Sequence, residues 1–527
     1  MRILLINPGT NLGKPDPNMN YIFPFGLGYI ASVCEKEGHE VDVWDLHKEQ
    51  MSFDEYEYYI NLNGKIGKSL EDTDVKVIDY DIIGITGIVS QYLYIKKLVD
   101  VIKKYSKAII VLGGPLATYS YDIILKETEV DICVLGEGEE TFLELISKTF
   151  YNSIDLISEE YKYKFVKGIA YNYRNKVIKN KDRELIKNID DIGLPAYHLF
   201  DMEFYSTHTG LQDVVKPFFK GIRSMSLLTS RGCPYNCNFC SKSMKGTRMK
   251  SLDFLFNEIE YLIEEDNIKA IHFIDELLFL NRKRFMVFCR RIKEYDIIWD
   301  CQARINLVDK RSLLEAKKSG CVCIGFGIES GSQKILDNMN KQIKVSDIEK
   351  YLSYCTEIDL PVKVQIIFGY PGEDHKTIKE TVDMFDKLML PARRFSVITP
   401  LPGSKLYEES KQRGFIGDYE EAQISEYKYL MFLSGSGGNV NRYLFYNMTV
   451  FGSQGFWKIL RKTENLLLLN FIKNVIKHPK YIIRHWFVYK MYIRNWFEIK
   501  GKLRNILKIK NIKKIVRLIK NEIIFNK

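Results

Sequence analysis

Short, almost wholly apolar runs alternate along the chain with longer stretches in which apolar residues recur every three or four positions. In the first part, Arg2–Ile6, Glu40–Trp44, Ile82–Thr86, Ala108–Leu112 and Asp131–Leu135 read as strands. Phe25–Glu37 (closed by Gly38), Tyr92–Tyr105 and Glu139–Thr149 carry the helical period between them. Buried strands alternating with helices predict a doubly wound, Rossmann-like parallel sheet of α/β class. Ligands on such sheets bind beyond the carboxyl ends of the strands.

A second series begins near residue 224. Met225–Thr229, Ala270–Ile274, Ile298–Ala303, Val322–Ile328, Val362–Phe368 and Phe395–Thr399 read as six strands. Helical stretches such as Leu252–Glu265, Arg282–Glu294, Lys310–Ser319 and Lys376–Met389 separate them. Six such units predict a partial (β/α)6 barrel, whose chemistry sits where strands end. The intervening segment has no clear period apart from a small hairpin at Gly168–Tyr173 and Lys176–Ile178, and a linker at Asp190–Ala196. The run from Ser434 to Gly438 is a flexible break before a helical, basic end. The pattern thus divides the chain into 1–150, 151–223, 224–435 and 436–527.

The strand ends carry the punctuation of a binding fold. In the first sheet, Gly84 and Gly87, Gly113-Gly114-Pro115 and Gly136-Glu137-Gly138-Glu139 follow three strands in turn. Glycines there let a flat or phosphate-bearing ligand approach the backbone, although any tight turn also uses glycine. In the second series, the strands are followed in order by three cysteines, Asp275-Glu276, Arg304, Glu329-Ser330-Gly331, Gly369-Tyr370-Pro371-Gly372-Glu373 and Pro400-Leu401-Pro402-Gly403-Ser404.

The cysteines Cys233, Cys237 and Cys240 are spaced C-x3-C-x2-C in a loop made by Gly232, Pro234 and Asn236. Three neighbouring thiols cannot all pair as disulfides. A zinc site wants four tight ligands, and the next candidates, His272 and Cys289, are far along the chain. An iron–sulfur cube normally takes four cysteines, so three would leave one iron open. A zinc knuckle and a structural loop with free thiols are the other readings of this spacing. The remaining seven cysteines sit singly in apolar segments, which is reduced, buried usage and points to the cytoplasm.

This loop resembles the cluster loop of the radical S-adenosylmethionine (SAM) enzymes, with Phe239 at the usual aromatic position before the last cysteine. The strings Gly327-Ile-Glu-Ser-Gly-Ser332, Phe368-Gly-Tyr-Pro-Gly-Glu373 and Pro402-Gly-Ser404 resemble the cobalamin-dependent group of that family. Ile6-Asn7-Pro8, Pro24-Phe25-Gly26-Leu27, Gly38-His-Glu-Val41, Gly113-Gly114 and Gly136-Glu137-Gly138-Glu139-Glu140-Thr141 resemble its upstream cobalamin-binding domain. The resemblance implies a [4Fe-4S] cluster on the three cysteines, with SAM on the fourth iron. It implies reductive cleavage of SAM to a 5′-deoxyadenosyl radical. Methyl transfer from methylcobalamin to an unactivated carbon follows, with a second SAM restoring the cobalt. It further implies low oxygen, a small-molecule substrate and a reductant such as flavodoxin or ferredoxin.

The residues then take expected roles. Asp275 or Glu276 suits the SAM amine; Glu329 and Ser330 suit the ribose or amine. Gly369, Pro371 and Gly372 suit adenine, and Phe239 borders the site. Arg304 could meet the SAM carboxylate, cobalamin or a structural acid. Asn7, Pro8, Gly26, Gly87, Gly113, Gly114, Gly136, Glu137 and Gly138 are the expected cobalamin contacts. One departure is that D-x-H-x-x-G, whose histidine ligates cobalt in methionine-synthase-type domains, is lacking. Asp45-Leu46-His47 follows the wrong strand, His47 reads as a surface residue, and the lower axial position is left open. Rival readings are a radical cyclase or rearrangement enzyme, an RNA methylthiotransferase, and a cluster-bearing scaffold or electron carrier. The second would need another cysteine triad upstream, where only Cys34 and Cys133 occur.

Charge changes the picture only at the end. Of 77 basic and 67 acidic residues, 20 and 3 lie from Asn441 onward, which leaves 57 and 64 in the body. The net charge of +10 is therefore a property of the tail. Its apolar residues recur near helical spacing, from Leu503 to Ile519, with three tryptophans upstream. Such a segment could lie on an anionic membrane surface or dock its stripe on the body. No motif supports nucleic acid, and no run of about 18 uncharged apolar residues predicts a spanning helix.

Overall fold

A computed structural model describes residues 1–9, 21–49, 79–150, 163–208, 221–241, 244, 246–275, 277–388, 395–398 and 400–412. Glu276 and the basic C-terminal region lie outside these residues. Among the described residues no helix is long and apolar enough to cross a membrane.

The first sheet contains β1 (Arg2–Asn7), β2 (Glu40–Asp45), β3 (Ile82–Thr86), β4 (Ile109–Gly113), β5 (Ile132–Val134), β6 (Ile169–Tyr173) and β7 (Lys176–Lys179). Its order is β2-β1-β3-β4-β5-β6-β7, parallel through β5 and antiparallel beyond it. The hairpin read as a separate unit therefore extends this sheet. Cys133 faces Ala170 and Val134 faces Ile169 across the join. The order reverses between β1 and β3, the topological switch at which this architecture opens a crevice.

Helices fill both faces because the strands are apolar on both. Ile3 and Leu5 of β1 join one core cluster, whereas Leu4 and Ile6 join another. The helix Gly114–Glu127 has Pro115 in its first turn. The left-handed Gly114 (φ 83°) allows β4 to pass directly into this helix. A Cβ on Gly114 would lie 2.8 Å from the Gly87 carbonyl oxygen and 3.1 Å from its nitrogen, both backbone atoms. Gly114→Ala should cost about 1–3 kcal/mol of stability, seen as a lower thermal midpoint, and weaken cobalamin binding. Gly26→Ala should leave the apoprotein's midpoint unchanged, because nothing lies within 4 Å of its Cβ. Calorimetry and cobalamin titration of the two variants check this.

The second sheet is parallel throughout, in the order β15-β14-β13-β12-β11-β8. Its strands are β8 (Ser224–Leu227), β11 (Ala270–Phe273), β12 (Ile298–Ala303), β13 (Cys321–Glu329), β14 (Val362–Phe368) and β15 (Phe395–Val397). All six predicted strands are present; β8 and β15 are its edges among the described residues. Helix starts are locally encoded. Ser251 accepts from the Phe254 amide (3.1 Å), and Asp309 forms a reciprocal cap with Ser312. Between β8 and β11, the two-residue strands β9 (Ser230–Arg231) and β10 (Arg248–Met249) pair antiparallel and close the base of the cysteine loop.

Candidate functional site

A cavity of about 520 Å³ lies between the two domains. One wall is the carboxyl-end rim of the first sheet: Gly84, Ile85, Thr86, Gly113, Gly114, Gly136, Glu137 and Gly138, with Gly26, Leu27, Tyr29 and Ile30 from the first helix. The other wall is the start and end of the cysteine loop: Ser230, Arg231, Gly232, Cys233, Cys240 and Met244, with Ile274 and Asp275 behind. The lining is mainly apolar, with polar groups converging from the cysteine side. That combination suits a large flat cofactor.

Six of the nine expected cobalamin contacts line this cavity: Gly26, Gly113, Gly114, Gly136, Glu137 and Gly138. An added Cβ at Gly26 or Gly136 would meet nothing within 4 Å, so both stand at open space. The other three do not line it. The Asn7 amide donates to Asp45 (2.8 Å), and the Pro8 carbonyl accepts from Gln91 (2.8 Å). Gly87 packs under the helices, where a Cβ would lie 2.6 Å from Ile95. His47 does not line it either. It packs edge-on to Tyr21 with ring centroids 5.0 Å apart, and burial lowers its pKa. Its ring is half-buried against Tyr21.

Cys233 and Cys237 are half-buried and Cys240 is exposed, and none of the three is in a disulfide on this short loop. Among the described residues no three His, Cys, Asp or Glu side chains converge on a single-ion position. Thiolates that each bind a different iron of a cluster need not meet at one point. The donor set, three adjacent thiols with no fourth ligand among the described residues, fits such a cluster with one open iron.

The loop has two faces. Cys233 and Cys240 face the cavity. Cys237 and Phe239 face the strand ends of the second sheet. There the Arg304 guanidinium lies 3.6 Å from the centroid of Tyr235 and donates from Nη1 to Cys237 Sγ (3.4 Å). Its Nη2 donates to the Lys341 carbonyl. Lys341 is 5.7 Å from the Phe239 ring centroid and pairs with Glu329 Oε1 at 2.7 Å. Both side chains are nearly sealed, at 5% and 8% exposure. Glu329 is also left-handed (φ 62°), a strained conformation for a non-glycine residue at the end of β13. Backbone bonds lock the loop here: Asn238 N–H donates to the Met339 carbonyl (2.9 Å), and Leu406 N–H to the Asn238 carbonyl (2.8 Å).

Other expected SAM residues have partners inside the fold. Asp275 accepts from Thr229 N–H (2.7 Å), Thr229 Oγ1 (2.8 Å) and Ser230 Oγ (2.9 Å). It thereby fixes the chain entering the cysteine loop, and desolvation raises its pKa. Ser330 is buried; it accepts from Ser332 N–H (3.1 Å) and lies 3.3 Å from the Thr381 hydroxyl. In the glycine-rich turn, Gly369 and Gly372 both have positive φ. Pro371 is anchored by Asn338, whose amide donates to its carbonyl (3.3 Å).

Glu373 closes that turn by accepting the Gly369 N–H at 2.6 Å, while its Oε1 is buried without a hydrogen-bond partner. Burial pushes its pKa up to about 8. A carboxyl raised this way stabilises the fold while protonated; that contribution is lost as pH climbs from its ordinary value through about 8. Wild-type thermal stability should therefore fall from mildly acidic to mildly alkaline pH. Glu373→Gln, which mimics the neutral acid, should flatten the profile, as paired melting curves across that window will check.

Sequence reasoning missed the ionic contacts between the walls. Arg231 donates from Nη1 to Glu137 Oε1 (2.9 Å) and from Nη2 to Glu139 Oε1 (2.7 Å). Arg248 donates from Nη1 to Glu137 Oε2 (2.6 Å). Burial alone would raise the Glu137 pKa, but Arg248, Arg231 and the Ile186 amide hold it below its ordinary value. The only sequence signal was an Arg preceding the Gly-Cys and two Glu in the last glycine turn.

These features have counterparts in known proteins. The B12 binding domain family matches residues 19–146, and the Radical SAM superfamily matches residues 227–385. The chain is 31% identical over 421 residues to an uncharacterized methyltransferase of Pyrococcus horikoshii, covering 77% of this chain and 83% of that protein. It is 26% identical over 431 residues to the anaerobic magnesium-protoporphyrin IX monomethyl ester cyclase of Cereibacter sphaeroides, covering 80% and 65%. Its fold is similar to that of the radical SAM methyltransferase TsrM of Kitasatospora setae, solved with cobalamin and a [4Fe-4S] cluster. The TM-score is 0.61 at 18% identity, covering 80% of this chain and 79% of that one.

Proposed function

The chain belongs to the radical SAM proteins that carry a B12-binding domain, and on that premise we propose that it methylates an unactivated carbon of a small-molecule substrate. The observation that carries this reading is the single cavity walled by the first domain's glycine turns and by Cys233 and Cys240. When bound there, the cluster, SAM and cobalamin supply radical generation and a transferable methyl group.

The chain's own residues align and shield these groups. Cys233, Cys237 and Cys240 hold the cluster. Asp275 fixes the backbone leading into their loop, and Arg304 presents a cation to Cys237. Gly26, Gly113, Gly114 and Gly136 let the flat cofactor approach the backbone. Apolar walls such as Leu5, Ile85, Val111 and Phe142 exclude water. Glu329 and Lys341 form the polar end of the SAM site. The reading entails a cytoplasmic, low-oxygen setting and a reductant such as flavodoxin or ferredoxin.

The similarity to a cyclase supports radical cyclisation as the second reading. Anaerobic turnover with SAM carrying a labelled methyl group separates them. The first expects the label in a substrate carbon, with 5′-deoxyadenosine formed alongside. Deoxyadenosine with an unmethylated, cyclised or rearranged product would favour the second.

A further inference from the structure

The base of the cysteine loop is a ribbon in which Arg231 stands directly opposite Arg248. Like charges paired across strands repel, so the second domain alone gives this ribbon little reason to close. The neutralising carboxylates come from the other domain. Glu137 bridges the two arginines through its two oxygens, and Glu139 takes the second arm of Arg231. All four side chains are largely buried, at 4% to 14% exposure. The Arg231 guanidinium also lies 4.8 Å from the centroid of Tyr29, on the first helix of the cofactor domain.

Both ends of this cluster are cavity wall. Glu137 and Glu139 alternate with Gly136 and Gly138, and Arg231 is followed by Gly232 and Cys233. Gly136 and Gly232 both have positive φ, so each turn has a fixed shape. Ordering one turn orders the other, because one set of charge-assisted bonds closes both.

We propose that Glu137, Glu139, Arg231 and Arg248 form a coupling clamp, through which cobalamin on the first domain and the cluster on the second strengthen each other's binding. They act as positioning residues and touch neither reacting atom. The inference rests on the cofactor reading above. It adds that the two cofactor sites are thermodynamically linked, and linkage of this kind is reciprocal.

The test is hydroxocobalamin affinity of the full-length protein, measured anaerobically with the cluster reconstituted and again after chelation of the iron. In the wild type, the cluster should tighten cobalamin binding by roughly 5- to 150-fold. In Arg231→Gln and in Glu139→Gln, the ratio of the two affinities should fall towards one, while Arg231→Lys retains an intermediate ratio. General destabilisation shifts both affinities together and leaves the ratio intact, so the ratio reports the clamp. A wild-type ratio of one, or a ratio unchanged in Arg231→Gln and Glu139→Gln, overturns the inference while the cofactor assignment stands. A wild type that binds no cobalamin in either state overturns both.

Discussion

Cys237→Ala should abolish cluster assembly and all SAM cleavage, while cobalamin still binds at the weaker affinity of the cluster-free protein. Three thiolates are the minimum that hold a cube with one open iron, and among the described residues no further cysteine or histidine converges with them. The other seven cysteines among the described residues are buried in strands and helices, and burial raises the pKa of several, such as Cys34 to about 12. They cannot supply a thiolate without unfolding. Cys237 also differs from Cys233 and Cys240 in its surroundings: it is the one that receives the Arg304 hydrogen bond on the face away from the cavity. The cofactor wall of the first domain is therefore untouched by its loss. Iron analysis, visible absorption and 5′-deoxyadenosine production measure the first effect, and cobalamin titration the second. Retention of a full complement of iron in Cys237→Ala would remove the cluster assignment.

Lys341→Ala should be strongly destabilising, costing about 3–5 kcal/mol. The lysine neutralises Glu329 in a nearly sealed position, and Glu329 is already held in a strained backbone conformation. Removal of the cation leaves a buried carboxylate without its counter-charge. The pair lies against Gly327, where an added Cβ would fall 2.7 Å from Glu329 Oε1 and 3.3 Å from Lys341 Nζ. The double variant Lys341→Ala with Glu329→Gln should recover much of the lost stability, because the uncompensated charge is gone. It should not recover SAM binding, which needs the same polar end of the site. Denaturant unfolding of the apoproteins and SAM titration of the reconstituted ones separate the two effects. A Lys341→Ala variant as stable as the wild type would show that the pair contributes nothing to the fold.

Much of the architecture was legible because parallel strands are apolar on both faces. All eleven strands predicted in the two main sheets occur, within a residue or two at each end. The cysteine spacing and the glycine turns were legible because each is local in sequence. Three kinds of information were not. The hairpin near residue 170 has no signal that it pairs with β5, since edge pairing is decided in space. Gly113-Gly114-Pro115 marks a strand end, but nothing in the string tells that Gly114 already begins a helix. Side-chain partners were the largest gap. Asn7 and Asp275 belong to site-like motifs but bond within the fold, whereas Arg231 and Lys341 belong to no motif and organise the site. Such contacts join residues as many as 111 positions apart, and no periodicity reports them.

The decisive measurement is the cofactor content of the wild-type chain after anaerobic reconstitution with iron, sulfide and hydroxocobalamin, read by metal analysis and absorption spectroscopy. The shared cavity predicts about four irons and one cobalamin per chain together, with 5′-deoxyadenosine released once SAM and a reductant are added. Zinc or no metal at Cys233, Cys237 and Cys240 would contradict it, whatever the first domain binds.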